Sequence, residues 1–385
     1  MSHYLYFDLL ATTPCDERVV AAMLPYFTEQ YGNPASTVHR AGKRALNAVH
    51  HAREQVAALI GAHHSEIIFT AGATESNNLA LLGIAPDVRQ PNGRRKILTS
   101  SIEHRAVLAP CRSLKHRGFC VIELPVASTG RLNMDALEEA IDSDTLLISV
   151  QLANNEIGTI QDIAAICALA REYGAAVHCD AAQGVGKIPV QVAELGIDFL
   201  SISAHKFYGP KGIGALYCRH DSPFRLVPML HGGTHEHGLR PGTLNVPAIV
   251  GFGEACAIAQ QELAHDMAHA AALRQLFIDL ICHAIPESRI NGDSHFHLPG
   301  CISITLPEVD AESIMLATPD IAMSSGAACT SDIPEQSHVL SAIGLPPEAA
   351  AGTLRLAFGR GIREEDVRAG VALLTEAYFQ TLELS

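Results

Sequence analysis

Short apolar runs alternate with amphipathic segments through the first part of the chain, and this alternation constrains the fold more than any other feature. Segments 36–60, 75–84 and 162–174 place apolar residues at helical spacing between those runs. Alternating strands and helices predict βαβ units with a mostly parallel sheet, and near-continuous apolar strands indicate helices on both of its faces. We predict strands at EIIFT (66–70), KILTS (96–100), VIELP (121–125), LLISVQ (146–151), AAVHCD (175–180), FLSIS (199–203) and IGALYC (213–218).

The pattern changes after this α/β region. A long alanine-rich helical stretch runs from Val246 to about Pro286. Shorter strands and helices follow it, at 301–307, 310–317, 353–358 and 364–380. We therefore predict a large domain over 15–260 and a smaller α+β domain that combines 1–14 with 261–385.

The chain has 385 residues and a formal net charge of −14. So acidic a chain repels phosphate groups, which argues against nucleic acid or an anionic membrane as a partner. The N-terminal stretch MSHYLYFDLLATTP has no basic region followed by a long apolar run, so we predict no signal peptide. No stretch approaches the roughly 20 apolar residues that span a bilayer. These features predict a cytoplasmic protein.

One of the ten cysteines has an unusual setting. No CxxC pair occurs, and most cysteines stand in apolar segments, where we expect small buried hydrophobic residues rather than a disulfide framework. Cys329 instead lies in MSSGAACTSD (323–332), where small residues and Gly326 surround it. This composition predicts a loop that presents one accessible thiol.

A lysine and a carboxylate stand at the ends of two predicted strands. Lys206 comes just after FLSIS, and Asp180 ends AAVHCD. The carboxyl ends of strands are where α/β sheets bind ligands. A buried lysine can form a Schiff base with a carbonyl, and a buried carboxylate can hold the protonated ring nitrogen of pyridoxal phosphate (PLP). An isolated lysine would more often be a surface residue, but this pair predicts a PLP site.

A glycine-containing turn has the features of a phosphate site for such a cofactor. In TAGATESNN (70–78) a predicted strand passes into a predicted helix, and Gly72 permits a tight turn. The backbone N–H groups of Ala73 and Thr74 at the helix start would meet the phosphate, whose charge the helix dipole favours.

Two further polar side chains follow predicted strands. Asn155 in NNEIG follows LLISVQ and would donate to the ring hydroxyl of the cofactor. His104 in SSIEHRAV follows KILTS, and an imidazole there would stack on the ring and transfer protons near physiological pH. A purely structural histidine is the alternative interpretation of His104.

Together these motifs resemble those of the cysteine desulfurases, PLP enzymes of the class V aminotransferase family. The resemblance implies the PLP-dependent transferase fold type I, with a large domain built on a mostly parallel seven-stranded sheet, a small α+β domain and a homodimer. The matching motifs run in order along almost the whole chain: ATTP (11–14), GNPAS (32–36), GATESNN (72–78), EHRAV (103–107), NNEIG (154–158), DAAQGVGK (180–187), SAHKFYGPKGIGALY (203–217), HGG (231–233), RPGT (240–243), SSGAACTS (324–331) and LRLAFGR (354–360).

The resemblance also implies roles for individual residues. Lys206 would carry the cofactor, Asp180 would hold its ring nitrogen, and His104 would stack on its ring. Asn33 and Arg355 would bind the carboxylate of the substrate, for which a guanidinium suits well because it donates two parallel hydrogen bonds. The other cofactor contacts would be Gln183 and Asn155 at the ring hydroxyl, Ala73, Thr74, Ser203 and His205 at the phosphate, and Thr243 at the phosphate of the other subunit.

The implied reaction removes sulfur from L-cysteine. The freed Lys206 or His104 would move protons at Cα and Cβ, and the thiolate of Cys329 would attack the substrate sulfur, which leaves alanine and a persulfide on Cys329. A sulfur-acceptor protein would take the sulfur for iron–sulfur cluster assembly or for another sulfur-modification pathway. The given sequence ends at LTEAYFQTLELS, soon after its last predicted helix, whereas relatives that feed an iron–sulfur scaffold tend to have a longer C-terminal tail. Both destinations of the sulfur therefore stay open.

Other functions stay open beside this one. A selenocysteine lyase or an aminotransferase on the same fold would share Lys206 and Asp180 but would need no Cys329. A scaffold protein without activity would have no use for this whole set of reactive groups. The sequence also departs from the family pattern at four positions, none of which removes a chemical group from the site: Leu9, Leu10, Ala204 and Pro241.

The histidine-rich stretch HGGTHEH (231–237) allows a metal site as an alternative interpretation, because imidazole binds zinc and copper. However, the spacing of its histidines fits no common zinc pattern, and Glu236 is the one carboxylate among them. We therefore predict no metal, and we expect this loop to lie near the cofactor at the dimer contact.

Overall fold

The computed structural model describes residues 4–84, 93–325, 327–328 and 335–384. The helices are α1 (Glu17–Met23), α2 (Pro25–Thr28), α3 (Arg40–Ile60), α4 (Ala73–Ile84), α5 (Arg105–His116), α6 (Met134–Ala140), α7 (Ile163–Tyr173), α8 (Val192–Leu195), α9 (Val246–Ala284), α10 (Ala311–Ala317), α11 (His338–Ala342), α12 (Pro347–Ala351) and α13 (Glu364–Leu384). The strands are β1 (Leu5–Tyr6), β2 (Ile67–Thr70), β3 (Lys96–Ser100), β4 (Cys120–Leu124), β5 (Thr145–Ser149), β6 (Ala176–Asp180), β7 (Phe199–Ser203), β8 (Gly214–Cys218), β9 (Arg289–Ile290), β10 (Cys301–Thr305), β11 (Ile321–Ala322), β12 (Ser324–Ser325), β13 (Ala327–Ala328), β14 (Glu335–Gln336) and β15 (Thr353–Ala357).

The main sheet has seven strands in the order β2-β8-β7-β6-β5-β3-β4. Strand β8 is antiparallel to both of its neighbours, and the other pairs are parallel, so six strands point the same way. Helices α3, α7 and α9 pack on one face of the sheet, and α4 and α5 pack on the other. The predicted α/β fold with a mostly parallel seven-stranded sheet is confirmed.

A second, smaller core lies around an antiparallel sheet with the order β12-β15-β10-β9. Helix α13 and the second half of α9 pack there, and β1 joins this region by pairing in parallel with β11. Helix α9 is continuous, with Phe252 in the core of the main sheet and Phe277 in the second core. The predicted division at residue 260 falls inside this helix, and the division into domains stays a prediction.

One predicted helix starts later than the spacing of apolar residues indicates. The helix predicted over 36–60 begins at Arg40, because His39 adopts extended backbone and caps α3 by accepting a hydrogen bond at Nδ1 from Gly42 N (3.1 Å). Its end is as predicted, since Gly61 takes the left-handed conformation (φ 66°) that closes a helix. Local capping chemistry, which apolar periodicity does not register, decides this boundary.

The topology brings distant parts of the sequence to one edge of the main sheet. Strands β2, β3, β5, β6 and β7 share one direction, so their carboxyl ends meet at the same edge. The turns that follow these strands begin near Gly72, Ile102, Gln151, Ala181 and Ala204.

In the part of the chain that the structure describes, every helix is too short or too polar to cross a membrane.

Candidate active site

A cavity of about 850 Å³ opens at this edge of the main sheet. Most of the residues singled out in the sequence line it: Ala73, Thr74, His104, Asn155, Asp180, Gln183, Ser203, His205, Lys206 and Arg355. Asn33 and Thr243 are described by the structure, but they are exposed and stand outside the wall of this cavity. Cys329 lies outside the described residues.

Lys206 follows β7 in a short turn of 3₁₀ helix and reaches into the cavity. Its Nζ donates hydrogen bonds to the carbonyl oxygens of Leu10 and Ala11, both at 2.8 Å. Burial, together with the nearby Arg355 guanidinium, lowers the pKa of Lys206 to about 8, against the opposing effect of Asp180. The amine is therefore more readily deprotonated, and so more nucleophilic, than an exposed lysine.

Asp180 ends β6 with a buried carboxylate that has two protein donors. Oδ2 accepts from Asn77 Nδ2 at 2.7 Å, and Oδ1 accepts from the backbone N–H of Ala182 at 3.0 Å. Such hydrogen bonds compensate for burying an ionised carboxylate and fix its direction. Asn77, a fully buried residue of α4, was not predicted from the sequence, although it belongs to the matching stretch GATESNN.

His104 caps the N-terminus of α5, where its Nδ1 accepts a hydrogen bond from Ala106 N at 3.0 Å. A neutral ring that accepts at Nδ1 carries its proton on Nε2. Loss of hydration inside the protein lowers the pKa of His104, and Lys206 and His338 lower it too, whereas Asp180 raises it. The geometry therefore holds a neutral imidazole at the cavity wall near neutral pH.

Glu103 is a buried carboxyl group that sequence reasoning missed. Its Oε1 accepts hydrogen bonds from Ser100 Oγ (2.5 Å) and from Gln151 N (2.9 Å), so it joins the ends of β3 and β5. Burial raises its pKa to about 8. His338 Nε2 also lies 2.9 Å from its carbonyl oxygen. These contacts fix the turn that carries His104.

The turn between β2 and α4 lines the cavity, and two glycines pack closely against each other there. Gly72 has φ 148°, a conformation that side chains disfavour, and a Cβ on Gly214 would lie 2.7 Å from Gly72 Cα. Helix α4 begins at Ala73, and Thr74 and the buried Ser203 line the cavity beside it. The backbone N–H groups of the first turn of α4 are free of helical partners by geometry.

His205 stands at the same end of the cavity as this turn. Its Nδ1 is 3.0 Å from Thr12 Oγ1, and its carbonyl oxygen accepts from Thr13 Oγ1 at 3.0 Å. Burial lowers the pKa of His205 to about 4, with Lys206 and Lys211 acting in the same direction. The ring is therefore neutral at pH 7 and offers one N–H donor.

Arg355, in the interior of β15, presents its guanidinium to the cavity. Nη2 donates to Asp8 Oδ1 (2.6 Å) and Ser324 Oγ (2.8 Å), and Nη1 donates to Asn155 O (3.0 Å). Its Nε is buried and has no hydrogen-bond partner among the residues that the structure describes. A buried donor without a partner is costly, so the site has capacity for an additional acceptor. Asp8, which orients the guanidinium, was also missed from the sequence.

Gln183 and Leu10 connect the cavity wall to a second lysine. Gln183 Nε2 donates to the Leu10 carbonyl oxygen (2.9 Å), and Lys187 Nζ donates to Gln183 Oε1 (2.5 Å). Leu9 and Leu10 are 6% and 3% exposed and belong to the second core. These leucines depart from the family pattern, yet the contact toward Lys206 comes from a backbone carbonyl, which any residue type can supply.

The loop that contains HGGTHEH is tied to the elements under the cavity. Glu236, which has φ 48°, accepts both guanidinium nitrogens of Arg53 (2.6 and 2.8 Å) and the N–H of Phe69 (2.7 Å). Arg240 Nε donates to Glu75 Oε1 in the first turn of α4 (3.1 Å). The carboxylate of Glu236 thus forms a buried ion pair with Arg53. Across the described ranges, no three His, Cys, Asp or Glu side chains gather as a metal site.

Residues 5–369 match the family model of the class V aminotransferases. The chain belongs to this family, whose members depend on PLP in general. It is 47% identical over 381 residues to "Cysteine desulfurase IscS" of Neisseria meningitidis serogroup C, which covers 99% of this chain and 94% of that relative. It is also 46% identical over 363 residues to the human "Cysteine desulfurase", with coverage of 94% and 79%.

Solved structures with the same fold cover nearly the whole chain. A "NifS-like protein" superposes with a TM-score of 0.90 at 37% identity, covering 97% of this chain and 98% of that one. "SspA in complex with cysteine" superposes with a TM-score of 0.81 at 39% identity, covering 92% of this chain and 99% of that one. These relatives support the resemblance that the motifs indicated.

Proposed function

We propose that this protein is a PLP-dependent cysteine desulfurase that converts L-cysteine to L-alanine and leaves the sulfur as a persulfide on Cys329. The observation that carries the proposal is one cavity in which a buried lysine, a buried carboxylate and an imidazole stand together beside an arginine with an unpartnered donor. Relatives that are named cysteine desulfurases, at 45–47% identity over 94–99% of this chain, support the same activity.

The residues of the cavity fit PLP. Asp180 is ionisable and fixed by two donors, as a partner for a protonated ring nitrogen requires. Gly72 and the first turn of α4 line the cavity, and the N–H groups at a helix start suit a phosphate. Lys206 supplies the amine that would hold the cofactor covalently. When bound, PLP supplies an electron sink that makes bonds at Cα and Cβ of an amino acid breakable.

The remaining cofactor contacts follow the same reasoning. Gln183 and Asn155 would address the ring hydroxyl, and Ala73, Thr74, Ser203 and His205 would surround the phosphate. Thr243 is exposed and outside its own cavity, which is compatible with a contact to the other subunit.

Two groups of this chain are suited to move protons on the substrate. Lys206, whose pKa is lowered to about 8 in the cofactor-free chain, would exchange a proton at Cα once it is released from the cofactor. His104 holds its proton on Nε2, because Nδ1 is occupied by the Ala106 N–H, and it would exchange protons at the substrate sulfur or Cβ.

Sulfur transfer needs no outside oxidant. The Cys329 thiolate forms a bond to the substrate sulfur while the Cβ–S bond breaks. The electron pair of that bond stays with Cβ, which takes up one proton and becomes the methyl group of alanine. The transferred sulfur is oxidised as Cβ is reduced, so the electrons balance, and the product is a persulfide.

Arg355 would bind the substrate carboxylate, and Arg355→Ala should raise the KM for L-cysteine about a hundredfold with a smaller change in kcat, because a charge-assisted pair is lost. Steady-state kinetics of alanine formation measure both constants. Arg112→Ala is the matched control, since Arg112 is exposed on α5 and away from the cavity. A KM for Arg355→Ala that stays within about twofold of wild type rules out this role. Asn33 stays a predicted second contact to the carboxylate.

We also propose a cytoplasmic homodimer that passes the sulfur to an acceptor protein, for iron–sulfur cluster assembly or for another sulfur-modification pathway. Several large apolar side chains of α2 and of the segments on either side of it are exposed in the single chain, as a subunit interface requires: Leu24, Phe27, Tyr31 and Val38. Nucleic acid and membranes are not expected partners, because the net charge is −14.

The test supplies L-cysteine to the PLP-loaded protein with a thiol reductant and measures alanine and sulfide. We expect the two products in equal amounts. Parallel reactions with L-selenocysteine and with a keto-acid acceptor examine the selenocysteine lyase and aminotransferase alternatives. The proposal would be contradicted if alanine formed from L-selenocysteine but not from L-cysteine. It would also be contradicted if L-cysteine gave a keto acid instead of alanine.

A further inference from the structure

We propose that Lys187 is a positioning residue for the cofactor: through Gln183 it fixes an amide N–H in the direction of the ring oxygen of PLP. Lys187 itself does not line the 850 Å³ cavity. The inference rests on the proposed function, because it assumes that PLP occupies that cavity.

Two hydrogen bonds determine which way the Gln183 amide points. Lys187 Nζ donates to Oε1 at 2.5 Å, and Nε2 donates to the carbonyl oxygen of Leu10 at 2.9 Å. A reversed amide would bring its NH₂ group against the donors of Lys187 and its oxygen against the Leu10 carbonyl oxygen. Both contacts would be repulsive, so the lysine and the carbonyl together select one orientation.

This orientation makes Gln183 a donor toward the cavity. The amide nitrogen has two N–H groups, and Leu10 uses one of them. Gln183 is 5% exposed and lines the cavity, so its second N–H is available to a ligand there. A donor at this point favours an acceptor on the ligand, such as the ionised ring oxygen of PLP.

The same carbonyl links this contact to the proposed cofactor lysine. Lys206 Nζ donates to Leu10 O at 2.8 Å, so Lys187, Gln183, Leu10 and Lys206 form one continuous hydrogen-bonded chain. Lys187 and Lys206 also share a smaller cavity with Cys301 behind the site. A change at Lys187 is therefore expected to reach the cofactor through Gln183.

The surroundings of Lys187 also argue for a role beyond solubility. Burial, together with the positive charge of Lys206, lowers its pKa to about 7. Burying a lysine costs free energy that a structural position would avoid with an apolar side chain. Near neutral pH both the ammonium and the amine are populated, and each carries an N–H that can donate to Gln183 Oε1.

The test replaces Lys187 with Met, which keeps the length of the side chain and removes the donor. Cofactor-free wild type and Lys187→Met are titrated with PLP, and absorbance gives the Kd and the ratio of the visible to the near-ultraviolet band. We expect Kd to rise about tenfold and the visible fraction to fall. Lys43→Met, at an exposed position of α3, should change Kd by less than about twofold. Lys187→Ala repeats the measurement if Met does not pack.

A double-mutant cycle separates an effect through Gln183 from a general loss of packing. In the Gln183→Ala background, Lys187→Met should change Kd by less than about twofold, because the group through which it acts is gone. Full additivity of the two effects overturns the inference, and so does a wild-type Kd and spectrum for Lys187→Met. If wild type itself does not bind PLP, the proposed function fails, and this inference fails with it.

Discussion

Lys206→Ala is expected to remove the visible absorbance of the PLP-loaded protein and to lower alanine formation from L-cysteine at least a thousandfold, to about the level of free cofactor. The variant loses the buried amine that lines the cavity together with Asp180, His104 and Arg355. Free PLP can still diffuse into the site, but it would not be held covalently. Absorbance spectra after gel filtration measure this directly.

The state of Lys206 also predicts how the cofactor-free protein captures PLP. Its pKa is lowered from 10.5 to about 8, so the unprotonated amine is a much larger fraction at pH 7 than in an exposed lysine. The rate of PLP capture should therefore rise with pH and level off above about pH 8. A rate that keeps rising toward pH 10 would show that this amine is not the reacting group.

Lys115→Ala is the control for both measurements, because Lys115 is exposed on α5. It should keep the spectrum, the activity and the pH profile of wild type. If Lys206→Ala keeps its visible band after gel filtration, another lysine carries the cofactor, and Lys211, which also lines the cavity, would be the next candidate.

Cys329→Ala should abolish sulfide release from L-cysteine, with a decrease of at least about a hundredfold, while PLP binding and its spectrum stay as in wild type. The reason is chemical: a thiolate must accept the sulfur, and alanine offers no nucleophile. Sulfide is measured in the presence of a thiol reductant. Sulfide release at the wild-type rate would remove Cys329 from the mechanism.

The described cysteines are poor substitutes for that thiol. Burial raises the pKa of Cys111, Cys167 and Cys218 to about 12 and that of Cys301 to about 11, so these groups stay protonated near neutral pH. Cys120 is exposed at the start of β4, at the amino end of its strand and so at the edge of the sheet opposite the cavity. Cys120→Ala is therefore the matched control and should release sulfide at the wild-type rate.

The parts of the site that follow strands were predictable from the sequence. Lys206, Asp180, His104 and Asn155 each come shortly after a buried apolar run, and parallel strands bring their carboxyl ends to one edge. The strands themselves were predicted because their residues are apolar on both faces. The cavity that these residues line is thus a direct consequence of the sheet topology.

The residues that orient these groups could not be found in the same way. Asp8 and Arg355 are hydrogen-bonded across 347 positions, and Arg53 and Glu236 across 183. No local pattern marks such partners, because only the folded chain brings them together. Lys187 stood in a matching motif, but nothing in its sequence indicated that its Nζ would meet a neighbouring amide.

Side-chain capping limited the prediction of helix ends in the same way. Apolar periodicity placed the start of α3 at residue 36, whereas His39 caps it at Arg40. A contact of the same type caps α5 at His104, where Nδ1 accepts the hydrogen bond from Ala106 N. Because Nδ1 is the acceptor, the proton of the neutral ring lies on Nε2. Such contacts depend on backbone geometry that periodicity does not encode.

The most direct test of the central claim is mass spectrometry of the PLP-loaded protein after one turnover of L-cysteine without a reductant. The proposed reaction predicts one alanine formed per active site and a peptide containing Cys329 that is heavier by one sulfur atom. Alanine formed while that peptide keeps its original mass, with the sulfur on another cysteine or released as free sulfide, would contradict it.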